Sequence, residues 1–447
     1  MALKSPAFSS RIGFILAAAG SAVGVGNIWG FPTQAASNGG GAFLLVYLAM
    51  IAILAYPMLV AELTIGRMRQ QNPIEALRAL SDRPFWRMFG AVSGVIGLLV
   101  LSLILSFYAI VSGWLLAFMF APIAELMGFT TAAQWLTEFS VQRNMVMMIL
   151  FMLLTIHVVR SGVTDGIERW SRRLMPMLFV LLIVMVAYIL TLPGATQGLE
   201  MYLKPDFSRV TDPNLIIRAM GQAFFSLSIG VCCMMTYGAY LSRDENLPKT
   251  AGWVAGLDSS VAFLAGLLIL PAMFAAQELG VVIYDAQGQL LSSDTLVFSV
   301  LPAMFHSMGA VGHWVALAFF ALMVIAAITS SISMLEAPVN ALREETNQPR
   351  HKSAWIVGFV IAVVSAVIIY NFEQLFGAVI TLTTVYMQPL LALVFGILLT
   401  WVLRQHLLLK ALSEGAPEMA SSLFWKIWPW YVKFICPVLI LLVIWRG

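Results

Sequence analysis

Charge is scarce in this chain. Asp, Glu, Lys and Arg make up 11% of its 447 residues, against a hydrophobic share of 60% and a mean hydropathy of +0.90. Soluble domains carry roughly a quarter of their residues charged, so that balance excludes them. Cysteine is nearly absent too. Cys232, Cys233 and Cys436 stand in apolar runs without C-x-x-C spacing, and neither a disulfide nor cysteine-based redox or metal chemistry is expected. No tract of Lys and Arg points to nucleic acid. No nucleophile with a partnering base falls in the apolar runs, so an enzyme is not expected. No ring of charged or carbonyl ligands suggests a channel. The start, MALKSPAFSSRIGF, lacks a signal-peptide cleavage pattern, and Lys4 and Arg11 are expected to keep the N-terminus in the cytoplasm.

What remains is a succession of apolar runs, each long enough at 1.5 Å per residue to cross a hydrocarbon core about 30 Å thick. The expected fold class is an all-α membrane protein with the lipid bilayer as its partner. Its spans are placed at 11–36, 41–66, 88–119, 144–159, 168–192, 216–240, 251–276, 306–341, 354–370, 375–404 and 424–445, eleven in all. With the N-terminus inside and the C-terminus outside, nineteen of the 25 Lys and Arg residues fall on inner segments and five on outer ones. This bias supports both the count and the orientation. The outer connection that contains GVVIYDAQGQLLSSDT reads equally as a structured lid or a solvated loop.

Two spans are interrupted. GSAVGVGNIWGFP places Gly20, Gly24 and Gly26 inside span 1, and AFFSLSIGVCC crowds Ser226, Ser228 and Gly230 into the middle of span 6. Backbone at membrane depth must be hydrogen-bonded, so irregular chain persists there where it is buried in protein or lines a polar cavity. Either break alone also fits close helix packing through small residues. Together they open two sets of five spans, the pattern of an inverted repeat with a transporter binding site at its centre. The expected organisation is a single domain, 1–447, of two repeats, 11–192 and 216–404, with an accessory helix at 424–445.

Polar residues at depth sharpen this. Asn27 follows the glycines directly and offers an oxygen beside freed carbonyls. Asp258 in GLDSSVAFLAG is costly in a span and so a functional candidate, unless it lies close enough to the inner interface to be hydrated. Thr329, Ser330 and Ser331 form an ITSSIS cluster, although hydroxyls in membrane helices commonly bond back to their own turn. Oxygen ligands with one carboxylate suit a monovalent hard cation better than Ca²⁺. Glu62 and Glu336 are expected to be paired internally or to lie at the inner interface, and Tyr108 offers a mid-span hydroxyl.

These residues carry a resemblance. GSAVGVGNIWGFP followed by NGGGAF, FFSLSIG, TYGAY and ITSSIS is similar, over nearly the whole chain, to the neurotransmitter:sodium symporter family in its bacterial eleven-span branch of hydrophobic amino-acid transporters. The resemblance implies alternating-access, sodium-coupled import of a neutral, hydrophobic amino acid across a bacterial inner membrane by a monomer or weak homodimer. It implies two sodium sites. The first would use Ala22 and Ser226 carbonyls, the Ser226 hydroxyl, Asn27 and Asp258, completed by the substrate carboxylate. The second would use Gly20, Val23 and Ala326 carbonyls with the Thr329 and Ser330 hydroxyls. The implied substrate pocket is Ala22, Gly24, Gly26, Ile104, Tyr108, Phe225, Ser226, Ser228, Val231, Ser330 and Met334.

The resemblance also implies departures. Gly24 stands where monoamine carriers have an aspartate, so the substrate brings its own carboxylate. Tyr47, Gln222 and Ser226 match chloride ligands of relatives, but Ala262 replaces a serine and Asp258 supplies a fixed charge, so chloride is not expected; protonation of Asp258 on the return step would add proton counter-movement. Gly30 replaces the outer-gate arginine and FGAVITLTTVY holds no acid to pair with it, which leaves closure to Phe225 and Tyr108 packing or to other contacts. Tyr240 and Glu345 match inner-gate positions, Phe8 stands for a tryptophan, and Gly166 with Pro176 keeps the spacing tied to unwinding of span 5. A membrane sensor binding the same ligands without moving them, or a transporter of a zwitterion other than an α-amino acid, remains as the alternative.

Overall fold

The computed structural model describes residues 7–284, 291 and 296–446. Among them every regular element is a helix, without a strand. Most of GVVIYDAQGQLLSSDT lies outside the described residues; the chain after it forms a π-helical turn, Leu296–Val300, leading into a short helix, Leu301–Ser307.

Nine helices among the described residues are long and apolar enough to cross a membrane: Gly41–Arg69, Pro84–Leu126, Val141–Arg160, Val163–Ile189, Leu247–Glu278, Ala310–Thr346, Arg350–Tyr370, Phe372–Val402 and Leu423–Leu442. A tenth is the pair Arg11–Ala22 and Gly26–Ser37, bent by 54° at its break. The segment predicted as span 6 is two pieces, Pro213–Ser226 and Cys233–Ala239, each too short to cross alone. The predicted spans otherwise coincide with helices, with some ends displaced. Pro84–Leu126, predicted as 88–119, runs for 43 residues, about 65 Å at helical rise. That is roughly twice the hydrocarbon thickness, so its ends project well beyond it.

The interior is mainly apolar, as in a soluble protein, but the outward faces are apolar too. Phe359, Val180, Val184 and Leu99 are more than half exposed on outward faces, where lipid is the solvent, while Asn27, Glu62, Asp258, Glu336 and Ser331 are fully buried in the interior. Buried polar groups are stable only when hydrogen-bonded, so those within this apolar interior require partners. Helix Ala310–Thr346 packs extensively along Pro84–Leu126, and helix Leu247–Glu278 packs against both halves of the first broken span. The two breaks and the hydroxyl cluster therefore meet at the centre of the bundle.

Candidate functional site

The first break falls at residues 23–25, between Ala22 and the π-helical turn Gly26–Gly30. This corrects one expectation. Gly20 does not interrupt the helix; it lies within Arg11–Ala22, where a Cβ would stand 3.2 Å from Thr329 Cβ and 3.3 Å from Met175 Sδ. Its small size serves close approach there. Gly24 and Gly26 do lie at the break. A Cβ on Gly24 would sit 2.6 Å from Ser330 Oγ, and one on Gly26 would sit 2.5 Å from the Phe225 ring.

The second break separates Ser226 from Cys233 and contains three left-handed residues, Ser228 at φ 52°, Gly230 at φ 86° and Cys232 at φ 63°. Left-handed serine and cysteine are costly, typically about 1–2 kcal/mol each, and persist only where surroundings enforce them.

Those surroundings are side chains that take up the freed backbone groups. Gly24 N–H donates to Asn27 Oδ1 at 3.1 Å and Val25 N–H to Tyr108 OH at 3.3 Å. The Gln222 amide donates to the Gly26 carbonyl at 3.0 Å, and the Gln388 amide to the Phe224 carbonyl at 3.3 Å. Gly230 N–H donates to Glu62 Oε1. Glu62 is thus paired internally, as one of its two expected placements required. Gln222 caps a broken-helix carbonyl instead of joining Tyr47 and Ser226. Gln388 was missed in the sequence, where a glutamine before Pro389 carries no signal of what it faces.

Around Asn27 and Asp258 lies a compact polar cluster. Asn27 Nδ2 donates to Asp258 Oδ1 at 2.7 Å and to Ser226 Oγ at 2.9 Å; Ser226 Oγ donates to Asp258 Oδ2 at 2.7 Å and accepts from Tyr47 OH at 3.1 Å. Asp258 is fully buried, which disposes of the hydrated-interface alternative. On the far side of the first break, Ser330 Oγ donates to the carbonyls of Val23 at 3.0 Å and Gly20 at 3.3 Å, beside Thr329 Oγ1, which bonds back to Ala326 and Ile325. Both groups offer only oxygen ligands, and among the described residues no cluster of three or more His, Cys, Asp or Glu is present. That donor set fits a hard monovalent cation.

A cavity lies between the two groups. Its walls bring together all eleven predicted substrate residues, Ala22, Gly24, Gly26, Ile104, Tyr108, Phe225, Ser226, Ser228, Val231, Ser330 and Met334, and add Ser21, Asn27, Leu101 and Gln388. Gln388 Oε1 is buried without a partner. About 20 Å³ is open to a water-sized sphere, room for about one water. Phe225 also lines two larger outer cavities, of about 510 and 830 Å³, so its ring is the partition between the site and the outside. The larger cavity reaches Gly30 and Glu373. FGAVITLTTVY has no acid, but Glu373 three residues before it stands at that cavity.

On the opposite side, Phe8 packs edge-on against Phe14 and Tyr237, with its N–H on the Tyr240 carbonyl at 3.3 Å. Tyr240 does not meet Glu345. Its hydroxyl donates to Glu336 Oε1 at 2.6 Å, and Arg350 pairs with the other Glu336 oxygen while donating to the Val159 carbonyl at 2.9 Å. Glu345 instead accepts from Asn72. Ser9 donates its N–H and hydroxyl to Glu168, at 2.7 and 2.6 Å, in the π-helical turn Val163–Glu168 that contains Gly166; Pro176 lies in the following helix, Arg169–Ile189.

A multi-pass bundle whose two broken helices face each other across a small buried cavity is the architecture of a secondary transporter. The comparisons give the particular family. The model of the sodium:neurotransmitter symporter family matches residues 5–146 and 139–447, and the chain belongs to that family; its relatives are transporters, not enzymes. It is 35% identical to the uncharacterized sodium-dependent transporter YhdH of Bacillus subtilis, over 98% of this chain and 97% of that one. It is 27% identical to the sodium- and chloride-dependent GABA transporter 2 of Rattus norvegicus, over 76% of this chain and 62% of the relative. The crystal structure of MhsT in complex with L-phenylalanine superposes with a TM-score of 0.83 at 35% identity, covering 98% of this chain and 99% of that one.

Proposed function

We propose that the protein imports a neutral, hydrophobic amino acid with sodium by alternating access, in an eleven-span fold of two inverted repeats plus an accessory helix. The eleventh span is the broken segment Pro213–Ala239, whose halves are each too short for a length criterion. The single observation that carries the reading is the placement of Ser226, Asn27 and Ser330, which border both the cavity and the oxygen clusters. In this reading Ala22, Asn27, Ser226 and Asp258 hold one sodium with the substrate carboxylate, and Gly20, Val23, Ala326, Thr329 and Ser330 hold the second.

Sharing a ligand shell makes sodium and substrate raise each other's affinity, and that reciprocity is the coupling. A Cβ at Gly24 would meet Ser330 Oγ and Tyr108 OH, so there is no room for a side-chain carboxylate and the substrate supplies its own. Val25 N–H and Tyr108 OH lie beside Gly24 and would receive that group. Leu101, Ile104, Val231 and Met334 give the apolar side-chain contacts, in keeping with the L-phenylalanine bound to MhsT. Asp258, held by Ser226 and Asn27, takes the place of chloride. The N-terminus lies in the cytoplasm of a bacterial cell and the C-terminus outside.

Uptake of labelled neutral amino acids into proteoliposomes tests this, with an inward sodium gradient against potassium in its place. Sodium-dependent accumulation of one or more apolar amino acids is the expected result. Sodium-dependent binding without accumulation would overturn transport in favour of a sensor, and accumulation only of zwitterions lacking an α-carboxylate would overturn the substrate class.

A further inference from the structure

Arg87 is the last charged residue before an uncharged run from 88 to 124 in helix Pro84–Leu126, so it marks the polar end of that membrane-spanning run. There the structure has a notch of about 710 Å³, remote from the transport site, between that helix and the short helix Pro73–Arg78. The two backbones are in contact behind it. A Cβ on Gly94 would lie 2.9 Å from Ile74 Cα and 3.1 Å from the Pro73 carbonyl, so the two helices that frame the notch are held in main-chain contact.

The notch is chemically divided. One wall presents Met88, Val92 and Val95, spaced i, i+4 and i+7 on one helix face and exposed by 69, 50 and 42%. The rim presents Arg78, Arg87 and Asp82. Arg78 is bonded to Glu75 on its own helix, whereas Arg87 and Asp82 take part in no ion pair among the described residues. The flanking rings of Phe85, Trp86 and Phe89 contact one another, as aromatic residues do at the head-group level.

We propose that this notch binds a phospholipid whose head group carries both a phosphate and a primary ammonium, with an acyl chain along Met88, Val92 and Val95. Arginine matches phosphate geometry with paired donors, and two arginines on one rim provide a phosphate seat. A bilayer of purely acidic lipids would leave Asp82 beside the phosphate with nothing to neutralise it. An ammonium a few bonds from the phosphate satisfies Asp82 and the arginines together, so a phosphatidylethanolamine fits the charge pattern better than a phosphatidylglycerol.

The test is native mass spectrometry of the full-length protein in mild detergent, titrated with phosphatidylethanolamine or phosphatidylglycerol of the same chains. One tightly held phosphatidylethanolamine is expected. Arg87→Gln, which breaks no intramolecular pair, is expected to weaken it about ten-fold, the value of one charge-assisted hydrogen bond. Asp82→Asn is expected to erase the preference between the two lipids while keeping phosphate binding. Equal retention of both lipids by the unaltered protein, a preference for phosphatidylglycerol, or unchanged retention in Arg87→Gln would each overturn the proposal. A thermal transition unchanged in the variants separates lipid loss from unfolding. None of these readouts requires transport.

Discussion

Asn27 holds the Asp258 carboxylate through a 2.7 Å hydrogen bond from Nδ2 to Oδ1, joining the first broken helix to the intact helix Leu247–Glu278. Ser226, from the second broken helix, donates to the other carboxylate oxygen at the same distance. A buried carboxylate between two broken helices needs donors or a cation to offset its lost hydration. Here it has two donors, and an ion beside it would complete the balance. The same carboxylate accepts the hydroxyl of Ser226, whose oxygen takes the Tyr47 hydroxyl. Of the three residues that resemble a chloride site, Tyr47 and Ser226 are thus gathered at the Asp258 carboxylate, while Gln222 is turned to the Gly26 carbonyl.

Asp258→Asn tests that arrangement. The substitution keeps shape and removes the charge, and hydrogen bonds to charged groups contribute roughly 1.5–3 kcal/mol. Sodium-driven uptake in chloride-free medium is expected to fall about ten-fold or more, and added chloride is expected to restore part of it through Tyr47 and Ser226. The comparison is uptake in sodium gluconate against sodium chloride. A variant as active as the parent, and indifferent to chloride, would show that Asp258 does not replace the anion.

Gly26 is fixed by contact with Phe225. Gly26→Ala places a methyl carbon 2.5 Å from the ring, too close for any side-chain pair, so the ring must rotate or the break must shift. Overpacking of this kind costs roughly 1–3 kcal/mol. Because Phe225 separates the cavity from the outside, the expected effect is on substrate affinity, measured by saturation binding, with the thermal transition of the ligand-free protein shifted little. Gly30→Ala is the control: its Cβ meets Gln222 only at 3.9 Å, and near-normal binding is expected.

Much of this was legible before any coordinates. Glycines and serines inside apolar spans marked both breaks, because close helix packing explains either cluster alone but not the pair in matching positions of two five-span sets. The exact hinge was not legible: Gly20 permits a break and still sits in helix, since glycine removes a steric limit without demanding a bend. Nor were the partners of the freed groups. Glu62, Gln222 and Gln388 lie far in sequence from the groups they bond, and only the packing of helix against helix brings their side chains to Gly230, Gly26 and Phe224. The Tyr240 hydroxyl met Glu336 for the same reason, because the inner ends of the spans set which of several acids faces it.

Glu62 offers a contrast between two substitutions. Glu62→Gln retains a side-chain oxygen for the Gly230 N–H, whereas Glu62→Ala leaves that buried donor unpaired and a void beside it. An orphaned buried donor costs roughly 1–3 kcal/mol, here in a segment already held in left-handed conformations. The alanine variant is expected to lower the thermal transition in detergent clearly, and the glutamine variant to stay close to the parent. Equal loss in both would mean that the negative charge, and not the hydrogen bond, holds the second break.

Ser330 touches both halves of the proposed coupling. Its hydroxyl donates to the Gly20 and Val23 carbonyls, and its side chain lines the cavity beside Gly24. A sodium ion at those carbonyls would turn the hydroxyl from donor to ligand, since its lone pairs face a cation as readily as its proton faces an oxygen. Ser330→Ala removes both options and leaves the carbonyls free. The half-saturating sodium concentration for uptake is expected to rise about ten-fold, and because the two ligands are coupled, the substrate KM measured at fixed subsaturating sodium is expected to rise with it. Saturating sodium then separates two mechanisms. Recovery of the parent KM means that Ser330 acts through the ion, whereas a KM that stays high while the sodium dependence is normal assigns Ser330 to the substrate wall alone.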